Sequence, residues 1–398
     1  MSQQLISRSD DLRRLRDEGY NVEVREDVGF LLIHRIPYVN QRCEVKEGVL
    51  VDALVLAGDV TGPPRNHEVD FIGETPCDER GAPLTKVINS SARNELAPGI
   101  VAEHHFSSKL YGGVAYANYY DKMTAYVKLL EQPAQALEPE AKARTFDVVE
   151  DTDDDSVFRY VDTASSRAGI VMATQKLKES KVAIVGLGGT GSYVLDAVVK
   201  TPAREIHLID GDQFLSHNAF RAPGAVALEE LRAKRSKVEH FFEQYDAIRK
   251  SGIVVHDEYL SQQNVQLLRD MDFVFLCLDA GDGKRFAVEK LEEYGIPFVD
   301  AGMDLYETAG TLGGAVRTTL SAEGRRAEAR SKISLTPAFV HDEYGHNIQV
   351  VELNMVNAAF AVMRWKRFLG FYFDYKNEYD SVYTLSGNFI VNEGADEA

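Results

Sequence analysis

Apolar and polar positions follow two different rhythms along this chain. Up to about residue 145, apolar residues gather in three β-rich runs: FLLIHRI (30–36), GVLVDALVLAG (48–58) and HEVDFIG (67–73). The clusters Gly62-Pro63-Pro64 and Glu74-Thr75-Pro76 separate them. A short amphipathic helix is predicted over Asp10–Gly19, and another over Tyr119–Glu131, ending before Pro133. This is an α+β pattern without a βαβ unit. From about residue 157, strands alternate with helices. Strands are predicted at 181–185, 205–210, 253–256, 272–278 and 298–301, with helices at 192–200, 227–248, 262–269 and 284–294. A later strand, GGAVRTTL (313–320), leads into the polar stretch SAEGRRAEARSKIS, and a last helix covers Val350–Leu369. Apolar strands alternating with amphipathic helices predict an α/β domain with a mostly parallel sheet covered on both faces. Between the two rhythms lies PEAKARTFDVVEDTDDDS (139–156), whose acidic run Glu150–Asp155 reads as a solvated linker. The expected organisation is an N-terminal α+β domain over 1–145, a linker over 146–156 and an α/β domain over 157–398.

Composition narrows the function classes. A length of 398 residues favours two domains, and 44% hydrophobic residues is ordinary for a globular core. The net charge of -18 disfavours nucleic acid and anionic membranes as partners. Cys43, Cys77 and Cys277 are too far apart for a zinc ribbon or a thioredoxin-type pair, and suit a reducing, cytoplasmic setting. The start, MSQQLISRSDDLRRLRDEGY, is too charged for a signal peptide. No apolar run reaches the ~20 residues of a membrane span.

The densest chemical signal is KVAIVGLGGTG (181–191). A buried strand breaks into glycines and then opens a helix. Gly186, Gly188, Gly189 and Gly191 would let the backbone approach a phosphate, with the helix N-terminus supplying N–H groups. Such a loop in a Rossmann-like domain most often holds a dinucleotide, and Asp210 stands where a ribose-binding acid would. Three further clusters separate the alternatives. LIDGDQFLSHNAFR (208–221) supplies Asp210, Asp212, Asn218 and Arg221; RAKRSKVEHF (232–241) supplies Lys234, Arg235 and Lys237; and FLCLDAGDGKR (275–285) supplies Asp279, Asp282 and Arg285. A hydride-transfer enzyme has no use for those cations, whereas a phosphoryl-transfer site does. An Asp at the carboxyl end of a strand is placed to hold Mg²⁺.

These pieces, in this order, resemble the ThiF/MoeB superfamily, the adenylating fold shared with ubiquitin-activating enzymes. GLGGTG, LIDGDQFLSHNAFR, SKVE and CLDAGD correspond to its motifs, and the resemblance spans roughly residues 157–370. It implies an enzyme that uses ATP and Mg²⁺ to adenylate the C-terminal tail of a ubiquitin-like β-grasp protein. By resemblance, the four glycines approach the nucleotide, Asp210 and Asp212 lie at the ribose side, and Asn218, Arg221 and Lys237 bind phosphates. Lys234 is the alternative lysine, and Asp279 positions Mg²⁺. An arginine upstream of the first strand reaches ATP in this family; Arg159 and Arg167 are the candidates, and Arg167 is preferred. A homodimer is expected, with the last helix contributing to it, as is a conjugating-enzyme-like partner.

The chain departs from ubiquitin-activating enzymes in having no cysteine after Cys277. A thioester on the usual crossover loop is therefore excluded. Either the acyl-adenylate passes to an external nucleophile, or a serine such as Ser331 or Ser334 replaces the thiol. The N-terminal domain resembles that of bacterial ThiF-family proteins found beside ubiquitin-like genes, and points to partner recognition. Cys77 in GETPCDERGAP is either a loop thiol of a conjugating-enzyme-like domain or a structural residue. His104-His105 reads as a satisfied pair, not a metal site. The competing readings are an NAD-dependent oxidoreductase and a non-catalytic scaffold that has kept the fold.

Overall fold

The computed structural model describes residues 2–109, 115–335 and 348–394. The chain divides into two compact units, Met1–Ser156 with Tyr160–Ile170, and Val157–Arg159 with Val171–Ala398.

The first unit opens with α1 (Ser2–Arg8) and α2 (Asp10–Asp17). Eight strands follow: β1 (Asn21–Arg25), β2 (Phe30–Val39), β3 (Val45–Ala53), β4 (Leu56–Ala57), β5 (Val60–Thr61), β6 (Glu68–Ile72), β7 (Ile88–Ala97) and β8 (Ile100–Ser107). α3 (Tyr119–Leu137) and α4 (Thr163–Arg167) complete it. Six strands form an antiparallel sheet in the order β1-β2-β3-β6-β8-β7, and β4 and β5 pair separately. Leu12 and Leu15 of α2 and Met123, Tyr126 and Leu130 of α3 close a core over Leu31, Ile33, Leu50 and Phe71. Contrary to the expected stop, α3 runs through Pro133. Proline removes one helical hydrogen bond, but Leu130 and Ala134 are both buried and anchor the helix on either side of it. Strands β7 and β8 add to the three predicted runs; INSSARNELA of β7 is polar and mostly exposed and gives no strand signal, whereas β8 alternates buried and half-buried residues. Cys77 is buried and its Sγ–H donates to the Thr75 carbonyl, so the thiol is structural; burial also raises its pKa. His104 and His105 are satisfied by Ser91 and Asp70 at 2.8 Å each. Among the described residues no cluster of three metal-ligating side chains occurs.

The second unit begins with α5 (Val171–Gln175), β9 (Lys181–Val185), α6 (Gly189–Val199) and β10 (Glu205–Ile209). Next come α7 (Ser216–Ala219), α8 (Leu228–Ala233), α9 (Lys237–Asp246), β11 (Ile253–His256), β12 (Phe273–Leu276) and α10 (Asp282–Tyr294). The rest is β13 (Phe298–Thr308), β14 (Thr311–Ser321), α11 (Arg326–Lys332), α12 (Val351–Phe368), β15 (Asp380–Thr384) and β16 (Phe389–Glu393). The sheet order is β11-β10-β9-β12-β13-β14-β15-β16. The first five strands are parallel and the remaining pairings antiparallel. Both faces are covered, as the apolar runs require. Val182 and Ile184 face a core with Phe241 and Trp365, while Ala183 and Val185 face one with Val288 and Leu291. The parallel part is thus the Rossmann-like arrangement expected from the alternation. No helix among the described residues is long and apolar enough to cross a membrane.

Two boundaries differ from expectation. The helix predicted over 227–248 breaks into α8 and α9 at Lys234, which adopts a left-handed conformation. The break is needed because Phe214 N–H donates to the Arg235 carbonyl and Lys237 N–H to the Asp212 carbonyl, stitching this segment to the loop after β10. The polar stretch after β14 is not all loop, since α11 forms there.

Candidate functional site

Register brings the site together. Val185, Ile209 and Leu276 lie side by side across β9, β10 and β12, so the loops after all three strands leave the sheet at one edge. The order of strands reverses direction at β9, and the crevice at such a switch point is where open α/β sheets bind ligands. A cavity of about 430 Å³ lies there, lined by the glycine loop, Asp210, Asp212, Arg221, Lys237, Asp279 and residues of β13–β15.

The glycines serve different ends. Gly186 has φ +90°, and a Cβ there would lie 2.6 Å from the Cys277 carbonyl oxygen. At Gly191 a Cβ would come to 1.8 Å from the Gly186 oxygen, so helix and loop can close only over hydrogen. At Gly189 it would meet the Asn354 side chain at 2.1 Å. A Cβ on Gly188 would meet nothing within 4 Å, and Gly188 lines the cavity. Three glycines therefore keep the loop tight, and one keeps its surface bare toward the ligand space.

Acidic and basic groups clasp this loop. The buried Asp210 carboxylate accepts from Leu187 N–H at 2.6 Å and from Asp212 N–H at 2.8 Å. Lys237 Nζ lies 3.3 Å from Asp210 Oδ2 and donates to Asp212 Oδ2 at 2.6 Å. Hydrogen bonds from Lys237 and Tyr259 hold the Asp212 carboxyl below its usual range. Lys237 is the first residue of α9, whose N-cap Ser236 accepts from Glu239 N–H. Lys234 is exposed at the helix break and does not line the cavity, so the structure brings Lys237 to the site and not its alternative.

Asn218 does not line the cavity. Its Oδ1 accepts from Leu215 N–H at 2.9 Å and closes the turn of α7, from which Arg221 projects. Arg221 does line it, and its Nε is buried without an acceptor. A buried guanidinium N–H lacking a partner fits a site made for an anion such as a phosphate. Asp279 follows β12 and lines the cavity. Mg²⁺ is commonly held by one or two carboxylates plus phosphate oxygens, so a single aspartate here fits that ion.

Arg167 lies in the first unit, with its guanidinium over the Phe146 ring, and is not among the residues lining this cavity. Arg159 pairs with Asp246 on α9. Ser331 is exposed on α11 and donates to the Glu328 carbonyl, whereas Ser334 lines the cavity. Cys277 stands just past β12, and burial pushes its thiol up to about 12, as a small apolar filler would have it.

Sequence reasoning missed two sets of residues. Asn354 and Asn357, one helical turn apart on α12, are fully buried. Asn354 accepts from Thr190 Oγ1 at 3.0 Å beside the loop, and Asn357 donates to the Gly302 carbonyl at 3.0 Å. The signal was two amides at i, i+3 in an otherwise apolar helix. The buried face of this helix, including Trp365, packs on the chain's own sheet and α6. Lys284, Asp300 and Arg317 form the second missed set, described below.

Residues 163–329 match the ThiF family. The chain carries a ThiF family domain. Residues 10–163 match a domain of unknown function, DUF6791. Among solved structures, PaaA aligns over 56% of this chain and 75% of its own, at 17% identity and a TM-score of 0.44. MccB of E. coli, solved with ATP, aligns over 56% of this chain and 66% of its own, at 17% identity and a TM-score of 0.45. No curated protein matches the chain in sequence.

Proposed function

We propose that this protein is an ATP-dependent adenylyltransferase that activates the C-terminal carboxylate of a ubiquitin-like protein. The observation that carries the reading is convergence. A glycine loop with one bare position, Arg221 with a buried unpartnered N–H, Lys237 and Asp279 all face one cavity of the ThiF domain. In this reading the phosphates lie over Gly188 and the N-terminus of α6, with Arg221 and Lys237 offsetting the charge that builds up during transfer. Mg²⁺, held by Asp279, would neutralise phosphate charge. A carboxylate oxygen of the substrate attacks the α-phosphorus. The new O–P bond forms as the bond to the β-phosphate bridging oxygen breaks, leaving an acyl-adenylate and pyrophosphate. Arg221 and Lys237 have no task in hydride transfer, which favours this reading over an oxidoreductase.

The acyl group then passes to an external nucleophile. Ser334 is the internal alternative, but among the described residues the side chain hydrogen-bonded to its Oγ is Arg317, a permanent cation that cannot act as a base. The N-terminal unit would recognise the protein partner, and assembly as a homodimer belongs to the same proposal.

ATP–pyrophosphate exchange with small ubiquitin-like proteins tests the reading. Exchange should depend on such a protein and drop by roughly 100-fold or more in Asp279→Ala. Exchange with none of them, together with tight NAD binding, would refute it.

A further inference from the structure

One buried charge cluster, of Lys284, Asp300 and Arg317, stands at the cavity wall. Asp300 of β13 is fully buried between two cations. Lys284 Nζ of α10 lies 2.5 Å from its Oδ1, and Arg317 Nη2 of β14 donates to its Oδ2 at 2.8 Å. Asp300 thus holds two cations in place, and the exposed carboxylates of Asp279 and Asp304 line the same cavity. The remaining donors of Arg317 are unsatisfied or weakly satisfied. Nη1 reaches Ser334 Oγ at 3.3 Å, long for an N–H···O bond, and Nε is buried without an acceptor.

Sheet order says which reactant this cation meets. The glycine loop follows β9, whereas the Arg317 side chain lies back across β13 toward Asp300 and Gly302. Two strand spacings separate them, roughly 10 Å. The loop after β12, with Asp279, stands between. Arg317 therefore faces the second reactant, across Asp279 from the phosphates. The floor beside it is made small by Ala301, Gly302 and Ala315. A Cβ on Gly302 would come to 3.0 Å from Arg317 Nη2, so glycine leaves the guanidinium its place.

We propose that Arg317 is a specificity-determining residue that binds the carboxylate to be activated, with Asp300 and Lys284 as positioning residues that fix its guanidinium. The carboxylate takes the place of Ser334 Oγ at Nη1, while Nη2 stays on Asp300. The selected chemistry is a peptide chain ending in a free acid. This inference rests on the adenylation reading.

A binding measurement separates the two. The probes are fluorescein-labelled pools of random hexapeptides ending either in a carboxylate or in an amide. Anisotropy is read on the full chain with Mg²⁺ and a non-hydrolysable ATP analogue. The free-acid pool should bind roughly 10- to 100-fold more tightly than the amide pool, as a charge-assisted hydrogen bond predicts. Arg317→Gln should bring the two pools together, and Arg317→Lys, which keeps the charge but loses the fork, should restore part of the difference. Native emission from Trp365 checks that each variant is folded. Equal binding of the two pools by the parent protein, or a preference unchanged in Arg317→Gln, overturns the inference. Pyrophosphate exchange decides the adenylation reading separately.

Discussion

Two glycines of one loop should respond in opposite ways to the same added methyl group. At Gly191, alanine places its Cβ 1.8 Å from the Gly186 carbonyl oxygen, a backbone atom that cannot rotate away. Loop and helix must separate by roughly 1 Å or more, and overpacking of this kind costs ~1–3 kcal/mol. Gly191 lies inside α6, so alanine returns up to ~1 kcal/mol of helix propensity. The net expectation for Gly191→Ala is a loss of about 1–2 kcal/mol. At Gly188 the added Cβ meets nothing within 4 Å, and the backbone, at φ -71° and ψ -152°, is close to the extended region. Gly188→Ala should change stability by less than ~1 kcal/mol, but the methyl group projects where a phosphate would pack, so ATP affinity should fall at least ~10-fold. Trp365 is the only tryptophan of the chain and is fully buried beside Phe275 in the second unit. Its emission during urea unfolding therefore reports this unit alone, and calorimetry gives the affinity. If Gly188→Ala were as destabilised as Gly191→Ala, or bound ATP like the parent, the assignment of Gly188 as the bare face of the cradle would be wrong.

Other consequences follow from the clasp around the loop. Lys237→Met leaves Asp210 buried without its cation. With two N–H donors still on that carboxylate, stability should drop by about 2 kcal/mol and exchange activity by ~100-fold or more, read by urea unfolding and pyrophosphate exchange. The Asp212 carboxyl is held low by Lys237 and Tyr259, so its contribution to stability is present above the unfolded pKa of about 3.9 and is lost as pH falls through the lower folded value. Asp212→Asn should therefore flatten the acid limb of the stability curve and leave its slope above pH ~5 as before; an unchanged acid limb would contradict the assignment. Because burial pushes the Cys277 thiol up to about 12, it should resist iodoacetamide at pH ~8 while the exposed Cys43 is alkylated, as mass spectrometry of the native protein can show.

What could be read along the chain was whatever depends on neighbours in sequence. The apolar runs 181–185 and 273–276 are apolar enough to announce buried parallel strands, because a strand covered on both faces has no polar side to confuse the pattern. The turn from β9 into α6 announced itself through glycines that no other residue could replace at φ +90° or against a carbonyl oxygen. Polar edge strands such as β7, whose side chains are exposed on both faces, carry no such signal. Pro133 argued for a helix end, and only burial of the residues around it outweighs that local preference. The choice between Lys234 and Lys237 likewise needed the tertiary structure, since it turns on a helix break imposed by backbone bonds to the loop after β10. The same holds for Arg317, Asp300 and Lys284. They come from two adjacent strands and a helix, and nothing in their spacing links them; only antiparallel pairing of β13 with β14 and packing of α10 bring their charges together. Local chemistry determined that this chain would turn from a buried strand into a helix through a tight glycine loop. Packing decided which cations face it, because charge acts through space and its strength depends on burial that no stretch of sequence carries by itself.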